Sequence, residues 1–175
     1  MTPESETSIS LADSQAEQLV FLLARCRLNL AQEAWLDQAV AKLKEPQRFE
    51  ELATRTFLAP MAYFHLLRSK GLNAQPEMMA RLHAQRMQTA RDYLFLKSET
   101  NLLSANLLEP AQVPHAFFKG TAYADEFYQE PTLRKSRDID VLIPRKNLAS
   151  VVERALSLGY RLYDEHAAMT TVELA

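Results

Sequence analysis

Two aspartates, Asp138 and Asp140, are the residues of this chain whose types and spacing are best suited to chemistry. They lie in the segment RDIDVLIP, whose alternation of charged and aliphatic residues predicts a β-strand. Side chains two positions apart on a strand point to the same face, so both carboxylates could share one divalent cation. Mg²⁺ prefers such a site, with a few carboxylates and the oxygens of a bound phosphate. The other interpretation is a half-buried strand that exposes its acids to water.

A glycine at a predicted strand-to-helix junction is the second candidate. Gly120 follows the apolar run VPHAFFK, which predicts a strand, and precedes TAYADEFYQE, which has helical spacing. Without a side chain the backbone can approach a ligand closely, and the first N–H groups of a helix can hold an anion. The alternative is a tight turn that needs a positive φ. Gly71 and Gly159 each follow a predicted helix and are interpreted as helix terminators.

Four basic residues lie beside these candidates. Lys119 directly precedes Gly120, and Arg134, Lys135 and Arg137 come shortly before the aspartates. Cations keep nearby carboxylates ionised, and Arg or Lys can bind phosphate oxygens. For each of them singly, a solvated loop charge is the other interpretation.

The chain that precedes these candidates is predicted to form helices. Ser14 and Glu17 form a capping-box pattern, and apolar residues follow it at helical spacing as far as Leu30. Pro46 and Pro60 are typical of first helical turns, and a long periodic segment runs from Pro76 to about residue 106. After residue 108 the pattern changes to β-α-β-α-β, with the third strand predicted at YRLYDEH.

The predicted domains are a disordered leader (1–13), a helical region (14–108) and an α/β core (109–175). The predicted fold class is therefore α+β, a helical N-terminal region followed by a small mixed β-sheet with flanking helices.

The composition narrows the classes of function. Lys and Arg number 20 against 22 Asp and Glu, so no overall basic field would attract nucleic acid or an anionic membrane. The longest apolar run, residues 19–24, is far short of the roughly 20 residues of a membrane span, and the N-terminus lacks a signal-peptide pattern. The single cysteine, Cys26, allows no internal disulfide. We expect a cytoplasmic protein without a membrane or nucleic-acid partner.

The chain from FFKGTAYADEFYQEPTLRKSRDIDVLIP to LASVVERALSLGYRL resembles the nucleotidyltransferase superfamily of polymerase-β type. It is more similar to the branch of uncharacterised nucleotidyltransferases with a helical N-terminal region. That branch has a Leu-Lys-Gly strand end, a helix, an arginine, Asp-Ile-Asp-Leu-Leu-Val, another helix and Gly-Tyr. The resemblance implies metal-dependent transfer of an NMP from an NTP, expected to be ATP, to a hydroxyl of an unknown protein or small-molecule acceptor.

The resemblance also implies roles for particular residues. Gly120 and Thr121 would form the turn that holds the triphosphate, although the superfamily prefers Ser or Gly at the second position. Asp138 and Asp140 would be catalytic and would bind Mg²⁺ or Mn²⁺. The nucleotide-binding set is completed by Lys119, Arg134 and Arg137.

A third catalytic carboxylate is expected from the superfamily on a later strand. Glu173, in TTVELA, is similar to the start of a Val-Glu-Leu segment in the branch. Because members of the branch generally continue past this point, the resemblance implies a core truncated at its C-terminus.

Two other functions stay open at this stage. The main alternative is a non-catalytic module that binds a nucleotide or a protein through a degenerate or incomplete transferase core. A complete third carboxylate separates it from the enzyme. A glycosyltransferase-like Asp-x-Asp site is disfavoured because that fold expects a long doubly wound sheet before its aspartates.

Overall fold

A computed structural model describes residues 14–69 and 75–161 of the chain. The described residues form two compact units: 14–69, 75–89 and 133–135 in the first, and 90–132 and 136–161 in the second. The predicted leader, Gly71, Glu173 and most of the third predicted strand lie outside the described residues. The predicted domain boundary after residue 108 stays a prediction.

The first unit is helical, as the sequence predicts. It contains α1 (Gln15–Leu23), α2 (Leu30–Ala41), α3 (Pro46–Arg55), α4 (Ala59–Leu66) and the first part of α5 (Pro76–Leu103). Its core consists of apolar side chains from all of these helices, and five of the most deeply buried are Leu19, Leu23, Phe49, Leu66 and Leu82. Pro46 and Pro60 lie in the first turns of α3 and α4, where a missing N–H costs nothing.

Two capping boxes define the first two helices. The Ser14 hydroxyl accepts from the Glu17 N–H at 3.4 Å, and the Glu17 carboxylate accepts from the Ser14 N–H at 2.9 Å. The helical spacing that continues to Leu30 does not represent one helix, because α1 ends at Leu23. Asn29 and Gln32 form a second capping box, with both hydrogen bonds at 2.9 Å, and α2 starts there.

The second unit begins with the end of α5, which continues into a π-helical turn at Ser104–Leu108. The chain then forms β1 (Ala116–Phe118), α6 (Gly120–Phe127), β2 (Asp140–Leu142) and α7 (Leu148–Ser157). Short 3₁₀ turns precede β2 at Pro131–Leu133 and α7 at Arg145–Asn147. After α7, Gly159 has φ +91°, so its predicted role as a helix terminator is confirmed.

The sheet of the described residues has two antiparallel strands, and the α+β class is confirmed. Ala116 pairs with Leu142, Phe117 with Val141, and Phe118 with Asp140. The inner side of the ladder packs on a small core, whose members are Leu103, Leu107, Leu108, Val113, Phe117, Val141, Ile143, Val151 and Ala155. Val141 and Ile143 therefore point into the core, as expected for the aliphatic residues of the alternating segment RDIDVLIP.

None of the described helices is both long enough and apolar enough to cross a membrane.

Candidate functional site

The turn from β1 into α6 is made by two consecutive residues with positive φ. Lys119 has φ +55° and ψ −151°, and Gly120 has φ +42°. A residue with a side chain seldom adopts the conformation of Lys119, which costs about 1–3 kcal/mol. Such strain persists where the surrounding structure imposes it, and it is concentrated at functional sites.

Gly120 is required for a second reason. A Cβ atom at this position would lie 3.3 Å from the main-chain oxygen of Asp138. The absent side chain therefore lets the segment that carries the aspartates pass directly against the turn. The positive φ of the alternative interpretation is therefore present at Gly120, whereas the close approach of a ligand stays a prediction. In the described structure the approaching group is the Asp138 main chain.

The N-terminus of α6 has the properties of an anion site. The first helical hydrogen bond runs from the Tyr123 N–H to the Lys119 carbonyl at 2.9 Å, so the N–H groups of Thr121 and Ala122 precede the intrahelical series. Within the described residues no side chain caps this end, and no acid lies in the first turn. The helix dipole and these N–H groups favour a negative charge at this position.

The strand register brings Asp140 to this turn. Asp140 pairs with Phe118, one residue before Lys119, and partners in an antiparallel ladder project to the same face. The Lys119 ammonium lies 3.8 Å from the Asp140 carboxylate and 4.9 Å from the centre of the Phe118 ring. Because the Lys119 side chain is 62% exposed, this ion pair is weak and the lysine can move to another anion.

Asp138 occupies a different position from the one predicted. The predicted strand is shorter than RDIDVLIP: β2 starts at Asp140, and Asp138 lies in a bend two residues before it. The expectation that both aspartates lie on one strand is therefore wrong, whereas their sharing one face stays a prediction. Asp138 is exposed, and its main-chain oxygen lies against Gly120.

The remaining predicted residues divide into three groups. Thr121 is only 6% exposed and lies in the first turn of α6, while Arg137 is exposed and adjoins Asp138. Arg134 belongs to the first compact unit and is not counted among the residues of this site. Glu173 lies outside the described residues.

Ser136 is a neighbour of the turn that the sequence did not single out. Its hydroxyl oxygen lies 4.0 Å from the position of a Gly120 Cβ. That oxygen is buried and has no hydrogen-bond partner among the residues that the structure describes. The only sequence signal is a small polar residue two positions before Asp138, which is too common to be selective.

A second missed cluster joins α6 to α5. The Tyr93 hydroxyl and the Lys97 ammonium both donate hydrogen bonds to the Asp125 carboxylate. Burial and the hydrogen bond to Asp125 raise the pKa of Tyr93 to about 12. Burial raises the pKa of the Asp125 carboxyl, but hydrogen bonds from Lys97 and Tyr93 outweigh it and hold that pKa below its ordinary value. The cluster holds one side of α6 against α5, and it thereby supports the turn at the start of α6.

The donor set around the turn fits a magnesium ion carried by a nucleotide. Two carboxylates, Asp138 and Asp140, are available for the metal, and the start of α6 is available for phosphate. No cluster of three or more His, Cys, Asp or Glu side chains with metal-binding geometry occurs in residues 14–69 and 75–161. Two carboxylates alone fit a metal whose coordination is completed by phosphate oxygens and water.

A family model of uncharacterised nucleotidyltransferases matches residues 42–174. The match covers well over half of the chain and includes the turn and both aspartates, so the protein belongs to this family. Membership supports a nucleotidyltransferase type of function in general, with an NTP as substrate. No curated protein and no solved structure matches the chain significantly.

Proposed function

We propose that the protein is a metal-dependent nucleotidyltransferase that moves an NMP from an NTP, with ATP the expected donor, to a hydroxyl of a protein or small-molecule acceptor. One observation carries the proposal. The β1–β2 register places Asp140 beside the strained turn at Lys119 and Gly120, and the main chain of Asp138 lies against Gly120. The proposed phosphate site at the start of α6 and the Asp140 carboxylate would thereby be adjacent within one unit, with Asp138 two residues away in the chain.

The triphosphate would bind at the start of α6. The N–H groups of Thr121 and Ala122 and the helix dipole supply its main-chain ligands. Lys119 would leave Asp140 and bind a phosphate oxygen, as its exposed side chain and the 3.8 Å separation allow. Arg137, which is exposed beside Asp138, would add a second positive charge.

Asp138 and Asp140 would hold Mg²⁺ or Mn²⁺. When bound, the metal supplies Lewis-acid stabilisation of charge on the α-phosphate and on the leaving pyrophosphate. The acceptor oxygen forms a bond to the α-phosphorus, the bond to the pyrophosphate oxygen breaks, and the acceptor proton passes to a base. Glu173 is the carboxylate that the family resemblance assigns to this last task. We place the reaction in the cytoplasm, as the sequence predicts.

The test is calorimetric titration of each of the four NTPs into the protein, with and without Mg²⁺. We expect one NTP, ATP first, to bind only with metal, and Asp140→Asn to weaken this binding at least about tenfold. Glu153→Gln, which removes an exposed carboxylate from α7, is the matched control and should bind as the unchanged protein does. Equal affinity in Asp140→Asn would overturn the site.

Binding and turnover are separated by a second measurement. Pyrophosphate release in the presence of candidate acceptors is expected to require both Mg²⁺ and Asp140. If the nucleotide binds with metal but no pyrophosphate is released with any acceptor tried, the non-catalytic alternative is favoured.

A further inference from the structure

A cavity of about 340 Å³ lies on the other side of β1 from Asp140. It is formed by the end of α5, the π-helical turn, β1 and the first turn of α6, all within the second unit. Phe117 lines it, and Phe117 projects to the face opposite that of Phe118 and Asp140 because side chains alternate along a strand. The cavity therefore lies on the opposite face of β1 from Asp140, and it shares Thr121 and Ala122 with the proposed nucleotide site.

The lining of this cavity is rich in hydrogen-bond donors and carries no acid. The lining residues are Lys97, Thr100, Asn101, Ser104, His115, Phe117, Thr121 and Ala122. Lys97, Asn101 and Thr121 have N–H or O–H groups that can donate to a ligand. No carboxylate is among the lining residues, although Asp125 and Glu109 accept hydrogen bonds from Lys97 and Ser104 of the lining. The N-terminus of α6, at Thr121 and Ala122, adds its positive end to the same space.

Two lining residues, Lys97 and His115, are held in position by their neighbours. Lys97 donates one hydrogen bond to Asp125, and an ammonium has two further N–H groups. The Nδ1 atom of His115 lies 2.8 Å from the Val113 carbonyl, which can only accept, so Nδ1 carries a hydrogen. The Nε2 atom then faces Ser104, 3.2 Å from its hydroxyl oxygen, which also lies 2.8 Å from Glu109.

Two other donors are not held by hydrogen bonds to neighbouring residues. The side chains of Asn101 and Thr121 make no hydrogen bond to another residue in the part of the chain that the structure describes. Thr121 is only 6% exposed, but its hydroxyl oxygen is still reached by solvent, and the residue borders the cavity. A ligand in the cavity could therefore accept a hydrogen bond from this hydroxyl.

We propose that this cavity binds a small molecule through a carboxylate or phosphoryl group, at a site next to the nucleotide turn and on the opposite face of β1 from Asp140. The oxyanion would receive hydrogen bonds from Lys97, Asn101 and Thr121, and Phe117 would contact the rest of the ligand. Because Thr121 also belongs to the turn, occupation of the cavity is coupled to the conformation of the nucleotide site.

The proposal is tested by amide NMR of the full chain, with inorganic phosphate and, separately, malonate as the probes. We expect saturable shifts at Ser104 and His115 with at least one probe, and the stronger probe identifies the oxyanion. These shifts should persist in Asp140→Asn, which removes the proposed metal site. Failure of the nucleotide proposal would therefore leave this result intact.

Asn101→Leu fills the cavity without breaking a described hydrogen bond, and it should weaken the Ser104 and His115 response about tenfold or more. Gln88→Leu, at an exposed amide of the same helix, is the matched control and should respond as the unchanged protein does. Shifts confined to residues 119–120 and 137–140, a response that never saturates, or equal affinity in Asn101→Leu would each overturn the proposal.

Discussion

Lys119 and Gly120 turn the chain from β1 into α6 with two positive φ angles in succession. Only the second of these positions is a glycine, so strain remains at Lys119. Its carbonyl accepts the first hydrogen bond of α6, and its ammonium faces Asp140. At the scale of single residues, the candidate site thus depends on a backbone conformation that most side chains disfavour.

Comparison of Gly120→Ala with Gly159→Ala separates the cost of a positive φ from the cost of a close contact with Asp138. Gly120→Ala and Gly159→Ala both place a side chain at positive φ, but a Cβ at 120 also lies 3.3 Å from the Asp138 oxygen, whereas nothing lies within 4 Å at 159. We expect Gly159→Ala to lower the free energy of unfolding by about 1 kcal/mol, and Gly120→Ala to lower it further. Urea denaturation measures both. Equal losses would show that the contact with Asp138 has no energetic consequence.

At the scale of elements, the turn is supported from α5. Tyr93 and Lys97 donate to Asp125 on α6, and this cluster connects the long helix to the helix that begins at Gly120. The Tyr93 hydroxyl must stay protonated to donate. Because its pKa is raised to about 12 in the folded protein, the contribution of Tyr93 to stability depends on pH.

The pH dependence has a definite direction. The stabilisation is fully present below pH 10, the ordinary pKa of tyrosine, and is lost as the pH rises from there to about 12. We expect the stability difference between the unchanged protein and Tyr93→Phe to be constant below that window and to shrink within it. Urea denaturation across this range provides the measurement, and a difference that stays constant to pH 12 would contradict the assignment.

Two helix N-caps occupied by asparagine provide a matched pair. The Asn29 side chain caps α2 by accepting a hydrogen bond from the Gln32 N–H, whereas Asn147, at the N-cap position of α7, makes no side-chain capping bond. The side-chain amide oxygen of Asn147 is buried without a partner among the described residues. We expect Asn29→Ala to cost about 1 kcal/mol and Asn147→Ala less than about 0.5 kcal/mol, both measured by urea denaturation. A larger loss at Asn147 would point to a role that the structure does not show.

The sequence predicted most of the helices because apolar spacing, capping residues and prolines are local signals. It also predicted both strands, but it extended β2 back through Asp138. Charged and aliphatic residues alternate there, yet the chain bends to pass Gly120, and that close approach is a tertiary contact. The same reason explains why Ser136 and the Tyr93 cluster were missed: the residues that they lie against, Gly120 and Asp125, are distant in sequence.

At the scale of the whole molecule, the predicted site residues that the structure describes fall mainly in the second unit. Lys119, Gly120, Thr121, Asp138 and Asp140 lie in that unit, whereas Arg134 lies in the first. The family match spans residues 42–174 and so includes the helical region from α3 onward as well as the turn and both aspartates. The family membership and the local geometry together support nucleotide chemistry, and the acceptor stays open.

The proposed metal–nucleotide site is tested most directly by paramagnetic broadening of amide signals. Substoichiometric Mn²⁺ is added in the presence of a non-hydrolysable ATP analogue. We expect the amide signals of Lys119–Thr121 and Asp138–Asp140 to broaden together, and we expect Asp140→Asn to abolish this broadening. Broadening centred on other carboxylates, such as Asp125, or the same broadening in Asp140→Asn, would show that the turn and the aspartates do not form one metal–nucleotide site.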